Sequence, residues 1–200
     1  MKIIGLVGGS GSGKGCVCDI LSERSVFAID TDRVYHEITS SDSPCLRELA
    51  LEFGNAVIGK NGALDRVYLR GIVFGTKDAD EKREKLNKIA HKHILNETRK
   101  IIKEKLEAGF AAVIVDAPLL YESGFDSECD ITVCVVANED LRVKRIVLRD
   151  GISEDDAIKR IRGQLSNEEL ASRSDYVIQN NGNFEDLREQ VDDLIKKINL

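Results

Sequence analysis

The sequence is short of several things, and each shortage removes a class of explanation. It has no excess of positive charge: Lys and Arg number 29 against 35 Asp and Glu, a formal net charge of −6. A general electrostatic footprint for nucleic acid is therefore missing, and any anionic ligand must be held by local charge. No apolar run approaches the ~20 residues of a membrane span, so no membrane partner is expected. The apolar stretch 3–7 is too short for a secretory leader and runs straight into glycines, so a cytoplasmic protein is expected. Proline occurs only at positions 44 and 118. No internal repeat, low-complexity tract or flexible linker divides the chain. Cysteine is sparse and odd in number: Cys16, Cys18, Cys45, Cys129 and Cys134. Scattered thiols in a cytosolic chain read as reduced. Cys16 and Cys18 stand in "CVC" without the second pair or histidine spacing that a metal site needs. A guanine-reading N-K-x-D is also missing, which weighs against a GTPase switch.

What remains is an ordinary globular composition, 42% hydrophobic and 32% charged over 200 residues. A chain of this size buries on the order of 70% of its unfolded surface, as one domain or one domain with insertions. Short apolar runs at 2–8, 26–30, 111–120, 130–136 and 174–180 read as strands. Helical patterns lie between them, at 14–23, 81–109, 138–151 and 183–198, the last two opened by Asn and the second closed by Gly109. Strands alternating with helices predict an α/β fold, a five-stranded parallel sheet flanked by helices. The span 36–109 holds no convincing strand and reads as a helical insertion. The span 142–173 is helical and rich in arginine, and reads as a lid. The core is then 1–35, 110–141 and 174–200.

Residues 8–15, "GGSGSGKG", nearly match the phosphate-binding loop G-x-x-x-x-G-K-[ST] of the P-loop NTPase fold. The glycines permit a backbone that turns its amides inward into an anion nest, and the following helix points its N-terminus at the same spot. Gly9, Ser10, Gly11, Ser12, Gly13, Lys14, Gly15 and Cys16 are the expected ATP contacts, with Lys14 reaching the terminal phosphates. Gly15 departs from the motif: it brings no hydroxyl to Mg²⁺, and the Cys16 thiol is a soft ligand that suits this ion poorly. Mg²⁺ takes much of its coordination from water and substrate phosphates, so water can replace one hydroxyl. Adenylate kinases carry the same "GKG", and that resemblance implies the change is tolerated.

Asp30 and Asp32 follow the second apolar strand, at the carboxyl edge where α/β sheets gather ligands. Either engages an attacking hydroxyl, or Asp30 or Thr31 caps the next helix. Asp116 ends the third strand, where a Walker-B-like acid would hold Mg²⁺ through water. Glu122, just after "PLLY", belongs either to an acceptor site or to a surface turn. Arg142, Arg145 and Arg149 share one helical face, which is either solvated or aimed at phosphate. Arg149 precedes "DG", where a lid would hinge, and a guanidinium there can cover a transferring phosphoryl group. Arg160 and Gln164 lie in the next helix of that lid. Asn180 and Asn181 either read a base or make a turn.

"GLVGGSGSGKG" followed by "AIDTDRV" resembles the dephospho-coenzyme A kinase family, whose pattern is GLTGGIGSGKS followed by IDAD. The resemblance continues in order through "FGNAVIGKNGALDRVYLRGIVF" (53–74) and "LNKIAHKHI" (86–94), where Lys92 replaces the common proline. It goes on through "VDAPLLYESG" (115–124), "RIVLRDGISEDDAIKRIRGQ" (145–164) and "SDYVIQNNG" (174–182), covering essentially the whole chain. It implies ATP-dependent phosphorylation of the ribose 3′-hydroxyl of dephospho-CoA, with Mg²⁺, by a monomer or small homo-oligomer. It also implies that Asp32, Lys14 and Arg149 are catalytic, and that Arg145 and Asn181 join the ATP site. The helical insertion becomes acceptor-binding, with Arg70 and His91 near the acceptor's phosphates and Arg66 one turn away. Leu119, Tyr121 and Glu122 join the acceptor site. A nucleoside monophosphate kinase and a non-catalytic ATP sensor are the alternatives.

Overall fold

The computed structural model describes residues 2–74 and 78–200. The expected insertion contains residues 75–77, which lie outside the described set. In chain order the elements are β1 (Lys2–Val7), α1 (Lys14–Ser22), β2 (Val26–Asp30), α2 (Thr31–Ile38), α3 (Pro44–Phe53), α4 (Arg66–Phe74) and α5 (Ala79–Glu107). They continue with β3 (Ala112–Asp116), β4 (Ile131–Val136), α6 (Glu139–Asp150), α7 (Glu154–Arg162), α8 (Asn167–Arg173), β5 (Tyr176–Gln179) and α9 (Phe184–Lys197). Contacts divide the chain into two compact units, one of Met1–Ile29 with Glu104–Leu200, the other Asp30–Lys103.

The first unit carries the sheet, in the order β2-β3-β1-β4-β5. It is a parallel sheet, as the alternation of strands and helices predicts. Gly5 pairs with Val115 on one side of β1 and with Thr132 on the other, and Val135 of β4 pairs with Ile178 of β5. The strands are apolar on both faces because helices cover both. Ile4, Leu6, Ile114, Val133 and Ile178 pack with Val17, Ile20 and Leu21 of α1 and with Leu187, Val191 and Leu194 of α9. Each fully buried aliphatic side chain contributes about 1.5–3 kcal/mol. The chain builds β2 and β3 to one side of β1, then β4 and β5 to the other. The loop after β1 therefore lies at the topological switch point, where ligands bind.

The third strand is shorter than its apolar run. It ends at Asp116, and residues 117–124 form successive turns, with Leu120 N–H donating to Ala117 C=O at 3.2 Å and Ser123 N–H to Leu119 C=O at 3.0 Å. Pro118 has no N–H and cannot extend the ladder. Asn183 opens α9 with a capping box shared with Asp186, but Asn138 makes no side-chain cap for α6. The Asn138 backbone N–H instead donates to Asn181 Oδ1 at 2.8 Å. Within the arginine-rich segment, Val143 and Ile146 of α6 pack on Ala157 and Ile161 of α7.

The second unit is helical. Leu46, Leu49, Val57, Leu69, Val73 and Ile89 form its core. Lys92, in the middle of α5, donates to Glu48 at 2.6 Å, and His93 Nε2 lies 2.7 Å from the same carboxylate. The hydrogen bonds from Lys92 and then His93 hold the Glu48 carboxyl below the usual carboxylate range. Among the described residues no helix is long and apolar enough to cross a membrane.

Candidate functional site

The loop between β1 and α1 begins where Val7, fully packed, gives way to glycines. Gly11 and Gly13 have φ of +77° and +99°, the left-handed region where a Cβ is disfavoured. Gly13 is the N-cap of α1, so no capping side chain occupies the helix N-terminus, and no acid stands in the first turn. The N–H groups of that turn have no preceding turn to bond, and the helix dipole adds partial positive charge there.

The carbonyls of the loop are drawn off by donors. Lys14 Nζ donates to Gly8 C=O at 2.9 Å, Arg142 Nε to Ser10 C=O at 2.9 Å, Arg145 Nη1 to Gly11 C=O at 3.2 Å and Asn180 Nδ2 to Ser12 C=O at 2.8 Å. Ser12 N–H takes Gly9 C=O at 3.1 Å, and Val17 N–H takes Gly13 C=O at 3.4 Å. With its carbonyl dipoles committed in this way, the segment presents amides and cations to an anion. Ser12 Oγ is buried and has no hydrogen-bond partner among the described residues, an arrangement that costs free energy until a ligand oxygen completes it. The cradle therefore fits a phosphate chain. The Lys14 ammonium also lies 3.7 Å from Asp116 Oδ1, at the end of β3.

The arginines divide. Arg142 is 3% exposed and is no part of a solvated face. Burial holds its guanidinium below the usual arginine range. It donates to Gln164 Oε1 and to Asn167 Oδ1, each at 3.3 Å, besides Ser10. Arg145 donates to Asn180 C=O at 3.1 Å. Arg149 is exposed and donates to Asp150 at 2.7 Å, and Arg160 reaches the same carboxylate. Arg149 and then Arg160 hold the Asp150 carboxyl well below its usual range. Gln164 Oε1 accepts from Ser10 N–H at 2.9 Å, so one loop amide is covered by a side chain from beyond α7.

Asn180 is buried against the loop, while Asn181 Oδ1 serves the Asn138 amide. Tyr121 turns to Ser174 Oγ at 2.7 Å, with Arg173 stacked 5.5 Å from its ring centre. Leu119 and Glu122 line a cavity of about 340 Å³ together with Gly8, Gly9, Arg162 and Gln164. Arg162 was not singled out by the sequence, since its place in the lining of this cavity depends on packing across the unit.

In the second unit the acids after β2 separate cleanly. Asp30 Oδ1 accepts from the N–H groups of Asp32 and Arg33 at 2.9 and 3.1 Å and caps α2. Asp32 lies in the first turn with an exposed side chain. His36, one turn on, carries no sequence signal except that spacing, and it meets Arg66 of α4. Arg70 is exposed on α4 and His91 is half-buried on α5.

All five cysteines are free thiols. Burial pushes Cys45 and Cys134 up to about 11 and Cys129 up to about 12, so these three stay protonated at neutral pH. Among the described residues no group of three or more His, Cys, Asp or Glu side chains forms a metal cage. The acid beside Lys14 is a single strand-end carboxylate, Asp116. That suits a hard cation arriving with its own phosphate and water ligands, as Mg²⁺ does.

A profile of the dephospho-CoA kinase family matches residues 2–186. The dephospho-CoA kinase of Fusobacterium nucleatum is 40% identical over 192 residues, covering 96% of each chain. A crystal structure from Thermus thermophilus superposes with a TM-score of 0.79 at 30% identity, covering 98% of this chain and 97% of that one. A dephospho-CoA kinase from Campylobacter jejuni shares the fold, with a TM-score of 0.71 at 24% identity over 98% of this chain and 96% of its own. With its loop, its sheet order and a family match along nearly its whole length, the chain belongs to the dephospho-CoA kinase family.

Proposed function

We propose that this chain, in the cytoplasm, transfers the γ-phosphoryl group of ATP to the ribose 3′-hydroxyl of dephospho-CoA, giving CoA and ADP. The observation that carries the reading is the phosphate cradle, whose carbonyls from Gly8 to Ser12 are all committed to donors while Lys14 closes its end. The family match supplies the acceptor.

In the proposed reaction the residues of the loop from Gly9 to Cys16, through the backbone amides that are not already bonded to Gly9 C=O or Gln164 Oε1, and the Lys14 ammonium hold the triphosphate. Asp32 accepts a hydrogen bond from the 3′-hydroxyl and takes its proton. The hydroxyl oxygen bonds to the γ-phosphorus, the bridging bond to the β-phosphate breaks, and ADP leaves with the electron pair. Such transfers depend chiefly on positioning and charge stabilisation. Arg149 exchanges Asp150 for the transferring group when the lid closes, Arg145 supports the donor side and Asn181 lies beside the base. Leu119, Tyr121 and Glu122 contact the acceptor, and Arg70 and His91 its phosphates. Asp116 would hold Mg²⁺ through water, and that ion, when bound, neutralises the charge of the donor phosphates.

The test is turnover by the purified chain with ATP and Mg²⁺, offering dephospho-CoA beside a panel of nucleoside monophosphates. Formation of ADP only in the presence of dephospho-CoA is expected. Turnover of a nucleoside monophosphate with none of dephospho-CoA rejects the proposal, and ATP binding without any acceptor-dependent ADP points to a sensor.

Gly15 yields a separate prediction. Among the described residues an added Cβ at Gly15 meets nothing within 4 Å, and the position is exposed in the first turn of α1. Gly15→Ser therefore folds, and gains ~0.5 kcal/mol from helix propensity. The parent is expected to turn over without the hydroxyl, and the variant to reach half-maximal rate at lower Mg²⁺ with kcat little changed. A silent parent beside an active Gly15→Ser, in the same Mg²⁺ titration, would show that water does not replace the hydroxyl.

A further inference from the structure

Arg66, the first residue of α4, is exposed yet fixed from several sides. Its Nη2 lies 3.0 Å from His36 Nδ1 and donates to Thr39 Oγ1 at 3.1 Å. Its guanidinium carbon stands 5.2 Å from the centre of the Tyr35 ring. None of these partners is a carboxylate, so the contacts set the position of the cation without neutralising it. Both hydrogen bonds use Nη2, which leaves Nε and Nη1 out of them. A guanidinium has no lone pair to offer, so His36 Nδ1 is the acceptor and the ring proton sits on Nε2. The pair presents a fixed guanidinium fork and an imidazole N–H side by side at the surface. The neighbouring acid, Glu37, is committed to Arg33 at 2.9 Å.

His36 follows Asp32 by four residues on α2, so the two share a helix face, about 6 Å apart along the axis. In an adenosine nucleotide the path O3′–C3′–C4′–C5′–O5′ is four bonds long. At about 1.5 Å per bond, with the phosphorus one bond further, the 3′-oxygen and the 5′-phosphate lie about 5–6 Å apart. The spacing along the helix therefore equals the span of the ribose. We infer that His36 and Arg66, together with the Arg70 and His91 already proposed for the acceptor's phosphates, form the subsite for its 5′-pyrophosphate, and that His36 and Arg66 hold it one ribose length from Asp32. The inference rests on Asp32 being the residue that engages the 3′-hydroxyl. A fixed guanidinium binds phosphate oxygens in pairs, with less ordering cost than a free one. The consequence is specificity: an acceptor without a 5′-phosphate loses this contact while keeping its hydroxyl at Asp32.

The experiment is steady-state kinetics at saturating ATP with Arg66→Met and Arg66→Lys. It reads KM for dephospho-CoA, and the inhibition constant of adenosine, which lacks the phosphates, as a competitor against dephospho-CoA. Loss of charge-assisted hydrogen bonds to the pyrophosphate is expected to raise KM for dephospho-CoA by about 10- to 100-fold in Arg66→Met. The adenosine inhibition constant and KM for ATP stay at their wild-type values, and Arg66→Lys, which keeps the charge and loses the fork, falls between. Equal KM for dephospho-CoA in wild type and Arg66→Met overturns the inference. So does a parallel rise in the adenosine constant, which would make Arg66 a support of the fold alone. Failure of the underlying reading looks different: the wild-type chain itself would not phosphorylate dephospho-CoA.

Discussion

Asp32→Ala is expected to lower turnover by about 10³-fold, within the range for loss of a positioned proton acceptor. ATP affinity, measured by calorimetry, should stay at the wild-type value. Asp32→Asn should lose less, about 10²-fold, because its amide oxygen still accepts a hydrogen bond from the hydroxyl and only the proton acceptor is gone. The ratio of the two variants thus separates aiming from deprotonation. Neither change threatens the fold, since the start of α2 is capped by Asp30, which accepts from both Asp32 N–H and Arg33 N–H. The acid removed is exposed, and its favourable position at a helix N-terminus contributes about 0.3–1 kcal/mol. Asp30→Ala supplies the contrast. Loss of the cap costs about 1 kcal/mol of stability, seen in urea unfolding, with a smaller effect on turnover than Asp32→Ala. An Asp32→Ala enzyme that makes product at the wild-type rate would remove the acid from the chemistry.

Gly13→Ala should abolish nucleotide binding and destabilise the protein, while Gly15→Ala, two residues on, should do neither. At Gly13, φ is +99° and an added Cβ would lie 2.0 Å from Asn180 Nδ2. Forcing a side chain into the left-handed region costs about 1–2 kcal/mol. Asn180 must also move and abandon its 2.8 Å bond to Ser12 C=O. That strands a buried amide, at about 1–3 kcal/mol. The carbonyl released in this way can turn toward the anion and oppose it. At Gly15 an added methyl meets nothing within 4 Å among the described residues, and alanine improves helix propensity by up to ~1 kcal/mol. Urea midpoints and ATP titrations of the two variants check the contrast. Wild-type ATP affinity in Gly13→Ala would show that the cradle tolerates a shape it should not.

Much of this was legible in the chain because short-range chemistry decides it. The strands at 26–30 and 130–136, the loop and the helix after it follow from apolar runs and glycine spacing. The register between strands that places Asp116 beside Lys14 was less open to reading. It comes from β1 pairing Leu6 with Asp116 across the sheet, a contact between distant parts of the chain. Apolar content alone overextended β3 through Pro118, where the missing N–H ends the ladder. The arginine face shows the limit most clearly. Spacing puts Arg142, Arg145 and Arg149 on one side of α6, but it does not say which of them will find carbonyls to bind. Arg142 and Arg145 are held by the loop, and Arg149 by its own neighbour Asp150. Whether Asp30 or Thr31 caps α2 was likewise open until the backbone showed the Asp30 carboxylate accepting from two amides.

The most direct measurement is where the phosphate goes. Incubating the purified chain with ATP, Mg²⁺ and dephospho-CoA, and following the mixture by ³¹P NMR, should show one new phosphomonoester resonance rising in step with ADP. Coupling of that resonance to the ribose H3′ proton, with the pyrophosphate signals of the acceptor unchanged, is the expected result. Consumption of ATP with no such resonance, or with the phosphate on another oxygen, would contradict the proposal that Asp32 aims the 3′-hydroxyl at a triphosphate held by the loop.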